Sequence, residues 1–247
     1  MGYLGLQTIT GRDFDFLPAT GPRVAGIYHW SPELAGEINY LGIHGWNSEI
    51  EHTGSISYNG PLAFGVGNTR GGWQYGSRID SVETNLRWSP GNSWTWIGGF
   101  RYVEWSETLQ GKMSPPFNVY DYTSHTSNQL YGGQLGLDWS AWDAGGPLRL
   151  NLITKAGAFS NRASAARNGE SVLVGSTTDS QTSFVGEVAA VARWSLSDTW
   201  SLRGGYQLMW LSGIAVAPDQ LSVFLNPPDM SGGVLLHGAT VGIEAQW

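Results

Sequence analysis

The sequence contains no cysteine, so disulfide staples and thiolate metal sites are excluded. Charge is scarce. Only 13% of the residues are Asp, Glu, Lys or Arg, about half the share a soluble globular domain carries. No stretch approaches the roughly 18 consecutive apolar residues that a membrane helix needs. The start, Met1-Gly2-Tyr3-Leu4-Gly5-Leu6, has neither the basic head nor the apolar core of a signal peptide. Helix patterns are nearly absent. There is no GxSxG elbow, no HExxH and no P-loop, and Gly65-Val66-Gly67 lacks the strand–turn–helix context of a nucleotide site. The net charge of −7 argues against nucleic acid as a partner.

What is abundant is glycine, 35 residues, and tryptophan, 13 residues, in a chain of 247. The mean hydropathy is −0.19. Low charge with near-neutral hydropathy is the composition of a transmembrane β-barrel. Its strands alternate apolar and polar residues, so the average stays neutral while one face is wholly apolar.

That alternation runs through the chain. Trp200, Leu202, Gly204, Tyr206, Leu208 and Trp210 share one face, opposite Ser201, Arg203, Gly205, Gln207, Met209 and Leu211. Phe184, Val188, Ala190 and Trp194 oppose Glu187 and Arg193. Leu148, Leu150 and Leu152 oppose Arg149, Asn151 and Lys155. Tyr131, Leu135, Leu137 and Trp139 oppose Gln134 and Asp138. Trp94, Trp96, Phe100 and Tyr102 oppose Thr95 and Arg101. Val82, Leu86 and Trp88 oppose Glu83, Asn85 and Arg87. Ile38 and Tyr40 oppose Glu37 and Asn39. Val24, Tyr28 and Trp30 oppose Arg23 and His29. Val241, Ile243, Ala245 and Trp247 oppose Thr240, Glu244 and Gln246.

With an ambiguous first strand over Tyr3 to Arg12, these segments predict one all-β domain over residues 1–247. The expected architecture is a closed, antiparallel, up-and-down transmembrane barrel of about ten strands, with twelve as the alternative. Short turns fall at Ser31-Pro32-Glu33, Ser89 to Asn92, Asp143 to Gly146 and Ser197-Asp198. Long polar loops are expected at Asn47 to Ser77, Ser106 to Ser127, Ser160 to Thr182 and Gly213 to Gly233, with an intermediate connection at Asp13 to Gly21. An outer-membrane protein is exported, so the chain is expected to be a mature or truncated form.

Nine tryptophans lie beside the short turns or at the C-terminus: Trp30, Trp88, Trp94, Trp96, Trp139, Trp142, Trp194, Trp200 and Trp247. Indole favours a membrane–water interface, since it joins an apolar body to one N–H. They predict a girdle at a single depth, with Trp46, Tyr102, Trp105 and Trp210 as a sparser outer ring. Trp247 ends an alternating strand, as in barrels whose last strand is the signal for the outer-membrane assembly machinery.

Four stretches also resemble the seventh family of beta-barrel porins. They are GPRVAGIYHWSPELAGEINYLGI from Gly21, WIGGFRYVEWSETL from Trp96, NQLYGGQLGLDW from Asn128 and LLHGATVGIEAQW from Leu235. The resemblance covers most of the chain from Gly21 onward and implies an outer-membrane porin. It supplies no substrate and no functional residues.

The expected lumen residues are Arg23, Glu37, Glu83, Arg87, Arg101, Asp138, Arg149, Lys155, Glu187, Arg193, Arg203 and Glu244. Both signs inside a narrow barrel should pair and largely plug it. The functional alternative is a narrow, weakly anion-favouring path. The acidic excess is then assigned to the loops, at Asp13, Asp15, Glu49, Glu51, Glu104, Glu107, Asp121, Glu170, Asp179, Asp219 and Asp229. An acidic rim of that kind could attract cations. His29 is expected in the lumen and His237 at the lipid-facing outer edge.

The leading expectation is therefore a small-solute porin of the bacterial outer membrane, with lipid as its partner and neither cofactor, metal nor catalytic residue. The alternatives are a structural or surface-display barrel, a rim hydrolase using Glu51-His52 or Asp121 and His125, and a soluble lipocalin-like barrel with the two faces exchanged.

Overall fold

The computed structural model describes residues 14–54, 69–91, 93–114, 120–169, 174–220 and 226–246. Nine strands run in chain order. They are β1 (Arg23–His29), β2 (Leu34–Gly54), β3 (Thr69–Trp88), β4 (Trp94–Ser114), β5 (Tyr120–Asp143), β6 (Leu148–Gly169), β7 (Gly175–Ser195), β8 (Trp200–Ile214) and β9 (Gly232–Ala245). All pair antiparallel with their sequence neighbours in one sheet, β1 through β9. The only helical element among the described residues is a single 3-10 turn, Ala217–Gln220. The chain is all-β and up-and-down. Nine described strands stand where about ten are expected, and the expected first strand, Tyr3 to Arg12, lies outside the described residues.

The register climbs around the sheet. The row that starts at Trp88, the short-turn end of β3, passes through Trp96, Leu137, Thr154 and Val188 to Leu208. Leu208 stands well into β8, so the strands are inclined to the axis about which the sheet curls. The curl brings distant strands together on the inner face. Arg23 of β1 donates to Gln207 of β8 at 2.5 Å, and Arg101 of β4 donates to Glu187 of β7 at 2.8 Å. No backbone pairing joins β1 to β9 among the described residues. The sheet is rolled, and the closed ring expected from the sequence is not seen in them.

The four short turns sit where the sequence places them. The long loops do not. β2 and β3 continue to Gly54 and from Thr69, β4 and β5 to Ser114 and from Tyr120, β6 and β7 to Gly169 and from Gly175. Most of the polar stretches read as loops are strand. Past the apolar part of each strand both faces carry Ser, Thr, Asn and Gly, so the hydrophobic alternation fades although the pairing continues. A bulge at Gly45, where φ is +90°, shifts the register between His44 and Trp46. It turns Trp46 inward, where its ring lies 6.0 Å from that of Trp105. Trp105 is itself buried beside Val103. Two of the four residues expected in an outer aromatic ring therefore belong to the interior, while Tyr102 and Trp210 remain on the outer face.

Candidate functional site

The two faces are inverted relative to a water-soluble protein. Val24, Ile38, Leu86, Phe100, Leu135, Val188, Leu208, Val241 and Ile243 are exposed, while Glu83, Arg101, Asp138, Lys155 and Glu187 are buried. Leu135 is 75% exposed and Arg101 1%. The eight described girdle tryptophans, Trp30, Trp88, Trp94, Trp96, Trp139, Trp142, Trp194 and Trp200, are all exposed at the short-turn end, and the rings of Trp94 and Trp139 stack at 5.4 Å. Trp247 lies outside the described residues. At the other end the apolar belt stops at a continuous outward row, Asp80, Glu104, Gln129 and Arg162. There Tyr40 and His44 bond to Asp80, and Arg78 pairs with Glu104. His237 faces outward as expected, against the hydroxyl of Tyr206 at 2.6 Å.

Inside the belt the charges form one network. Arg87 bridges Glu37 at 2.6 Å and Asp138 at 2.5 Å. Lys155 donates to Glu83 at 2.6 Å, and Glu83 also accepts from Asn85 and Gln134. Arg101 lies 3.7 Å from Glu83, bonds Glu187 and donates its Nε to Ser81. Asn151 donates to Asp138, and Arg193 pairs with Glu244. Eleven of the twelve residues expected to face inward do so at half-buried or buried positions. Arg149 is the exception: it stands exposed at the mouth, 3.0 Å from Asp143 of the adjoining turn. His29 is exposed at the short-turn end rather than interior.

Above this network the inner face becomes apolar. Ile79, Val103, Trp105, Leu130, Phe159, Val185, Met209, Leu211 and Ile214 pack in one cluster, most of them out of reach of water. Apolar burial here contributes on the order of 25 cal/mol per Å². The next layer comes from the chain itself. Gly213, with φ +75°, ends the straight course of β8, and the segment after it folds into the interior. Ala215, Ala217, Pro218 and Gln220 are buried. Asn128 clasps Ala215 through both amide atoms, at 2.7 and 2.8 Å. Tyr122 and Arg167 donate to the carbonyl of Gln220. Gln181 reaches the carbonyls of Gly213 and Met230. The stretch expected as an outer loop after β8 is thus a plug over residues 214–220, and in its return Pro228 and Met230 are buried as well.

Glu107 anchors it. Expected on an acidic rim, it is instead buried and accepts from the Tyr75 hydroxyl at 2.5 Å and the Ala217 amide at 2.7 Å. The signal was parity: Glu107 shares its face of β4 with Arg101 and Trp105. Burial pushes its carboxyl up to about 7, and the charge of Asp219 adds to the rise. The same burial and the Glu107 charge push the Tyr75 hydroxyl well above its ordinary range. In an unseated state water reaches Glu107, and its pKa returns toward the ordinary carboxylate value of 4.5. Seating therefore favours the protonated acid. The plug is held best below the lower value and loosens as pH climbs toward the upper one. Protection of the Ala215 and Ala217 amides against hydrogen exchange, corrected for intrinsic rate, should fall between pH 4.5 and about 7. Glu107→Gln should flatten that profile; a wild-type profile already flat would remove Glu107 as the anchor.

The hydrolase alternative named Glu51-His52 and Asp121 with His125. His125 is exposed and meets Thr108 at 3.0 Å, and the side chain of His52 lies outside the described residues. Among the described residues no group of three or more His, Asp or Glu is placed to hold a metal. No family model, no curated protein and no solved structure matches the chain.

Proposed function

We propose that this chain is an integral β-barrel of the bacterial outer membrane with a sealed interior, a membrane-anchored scaffold that lifts a long polar strand extension above the bilayer. The observation that carries the reading is the inversion of the faces. Exposing Leu135, Val241 and Ile243 while burying Arg101, Glu83 and Lys155 is unfavourable in water and favourable in hydrocarbon.

The dimensions support it. On β8 the outward apolar run from Trp200 to Trp210 covers about 34 Å of strand at about 3.4 Å per residue. Inclined at about 40°, it spans about 26 Å, the height of a hydrocarbon band. β5 has 24 residues, where a crossing takes about 9–11, so its far half stands beyond the bilayer. Closure of the sheet belongs to the proposal, because an open edge in hydrocarbon leaves backbone groups unpaired. The partners are then lipid and, through the last strand, the outer-membrane assembly machinery.

Three successive seals favour the scaffold over an open pore: the ion-pair network, the apolar cluster and the in-folded segment. The small-solute porin, which the resemblance implies, is the second reading. It is supported by the unbalanced positive charge at the short-turn mouth.

The purified chain is expected to require detergent and to migrate faster unheated than boiled. In a planar bilayer it should give no steady current. A steady current would replace the scaffold with the channel. A chain monodisperse in plain buffer would remove the membrane reading altogether.

A further inference from the structure

The interior charges do not balance. Within the belt, among the described residues, Arg23, Arg87, Arg101, Lys155, Arg193 and Arg203 face Glu37, Glu83, Asp138, Glu187 and Glu244, six positive groups against five negative; Arg149 and Asp143 cancel at the rim, and farther up buried Arg167 and Glu107 add one of each sign. The surplus has an address. Among the described residues every one of these cations has a hydrogen bond or ion pair except Arg203.

Its surroundings deepen the imbalance. Arg149, Arg193 and Arg203 are direct cross-strand partners on β6, β7 and β8. Like charges placed so are destabilising. Glu244 bonds Arg193 through one oxygen, and its other oxygen is buried and unbonded. Turning that oxygen to Arg203 would leave one carboxylate between two guanidinium groups, and the surplus would remain. The row opens to water in steps, with the Arg149 side chain 54% exposed and that of Arg193 30%. Farther along the inner face of this recess the pair of Arg101 and Glu187 is dry.

We propose that this recess at the short-turn mouth is a binding site for a small oxyanion of the phosphate class, held by Arg203 and Arg193 with Arg149 at the entrance. A guanidinium group offers a planar fork of N–H donors that matches two oxygens of a phosphate. A bound anion completes the charge balance that the described residues leave open. The site rests on the inward-facing assignment of these arginines and not on conduction.

The test uses the full chain in detergent and inorganic phosphate as the probe, against chloride at equal ionic strength. The readout is the temperature at which the fast-migrating form is lost. Wild type should gain heat resistance with phosphate in a saturable way, and chloride should not reproduce it. Arg203→Gln should bind phosphate at least about tenfold more weakly while matching or exceeding wild-type heat resistance without phosphate, because it removes an unpaired charge. Arg87→Gln, which breaks two ion pairs, should lower heat resistance yet keep the phosphate response. No saturable response in wild type, or a full response in Arg203→Gln, overturns the site. Should the chain prove monodisperse without detergent, the same phosphate series is read by thermal unfolding in buffer, so failure of the site and failure of the membrane reading stay distinguishable.

Discussion

Replacing Arg101 with methionine is expected to destabilise the folded chain by about 3–5 kcal/mol, among the largest single-residue effects in the molecule. Arg101 is 1% exposed. Its loss strands Glu187, whose remaining cation, Arg23, stands 4.0 Å away. Glu83 keeps Lys155, Asn85 and Gln134. The cost is therefore mainly one buried carboxylate without a partner, not the volume of the lost side chain. The double variant Arg101→Met with Glu187→Met separates these causes. Removing both charges from a dry site is often neutral, so the pair should recover most of the loss. Reversible urea unfolding of detergent- or vesicle-bound protein measures both variants against wild type. A single variant within about 1 kcal/mol of wild type would mean that water fills this level of the interior.

Much of this network was legible in the sequence because strand parity is rigid. Residues two apart share a face, so Glu83, Asn85 and Arg87 are placed together by counting alone. The belt strands and short turns follow from the same rule, since there the apolar face meets a different environment from the polar one. The rule loses its force where that contrast ends. From Ser106 to Ser127 the outward face is polar and the inward face mixes Leu109 and Tyr122 with Glu107, Ser124 and Thr126, so strand was read as loop. One extra residue, Gly45, was enough to reverse Trp46. The plug was illegible for another reason. Its buried groups are mostly backbone carbonyls and amides clasped by Asn128, Gln181 and Arg167, and side-chain patterns do not record backbone contacts. Glu107 was misassigned because a carboxylate in a polar stretch suggests solvent, although its parity with Arg101 pointed inward. That Arg203 has no hydrogen bond or ion pair among the described residues needed the structure, since the sequence gives the charges on a face but not which of them meet.

The outward face supplies the sharpest test of what surrounds the molecule. Leu135→Arg is expected to cost about 2–4 kcal/mol in a bilayer, because Leu135 lies midway along the outward apolar run of β5 between Trp139 and Tyr131. In water the same substitution at a position 75% exposed should change stability by no more than about 0.5 kcal/mol, since it adds a solvated charge and removes nothing from a core. The two environments therefore predict different magnitudes for one variant. Gln129→Arg is the internal control. Gln129 is exposed on the same face of β5, in the polar row that ends the belt beside Glu104 and Arg162. It should be nearly neutral in either environment, and it has acidic Glu104 directly across the ladder to receive the new charge. A large loss at Leu135 with none at Gln129, measured by reversible unfolding from lipid vesicles, requires hydrocarbon at the level of Leu135 and an aqueous boundary before Gln129. Equal and small effects at both would place the whole outer face in water. The exposed belt would then need a protein partner to cover it, and the charged interior would have to be explained without a membrane.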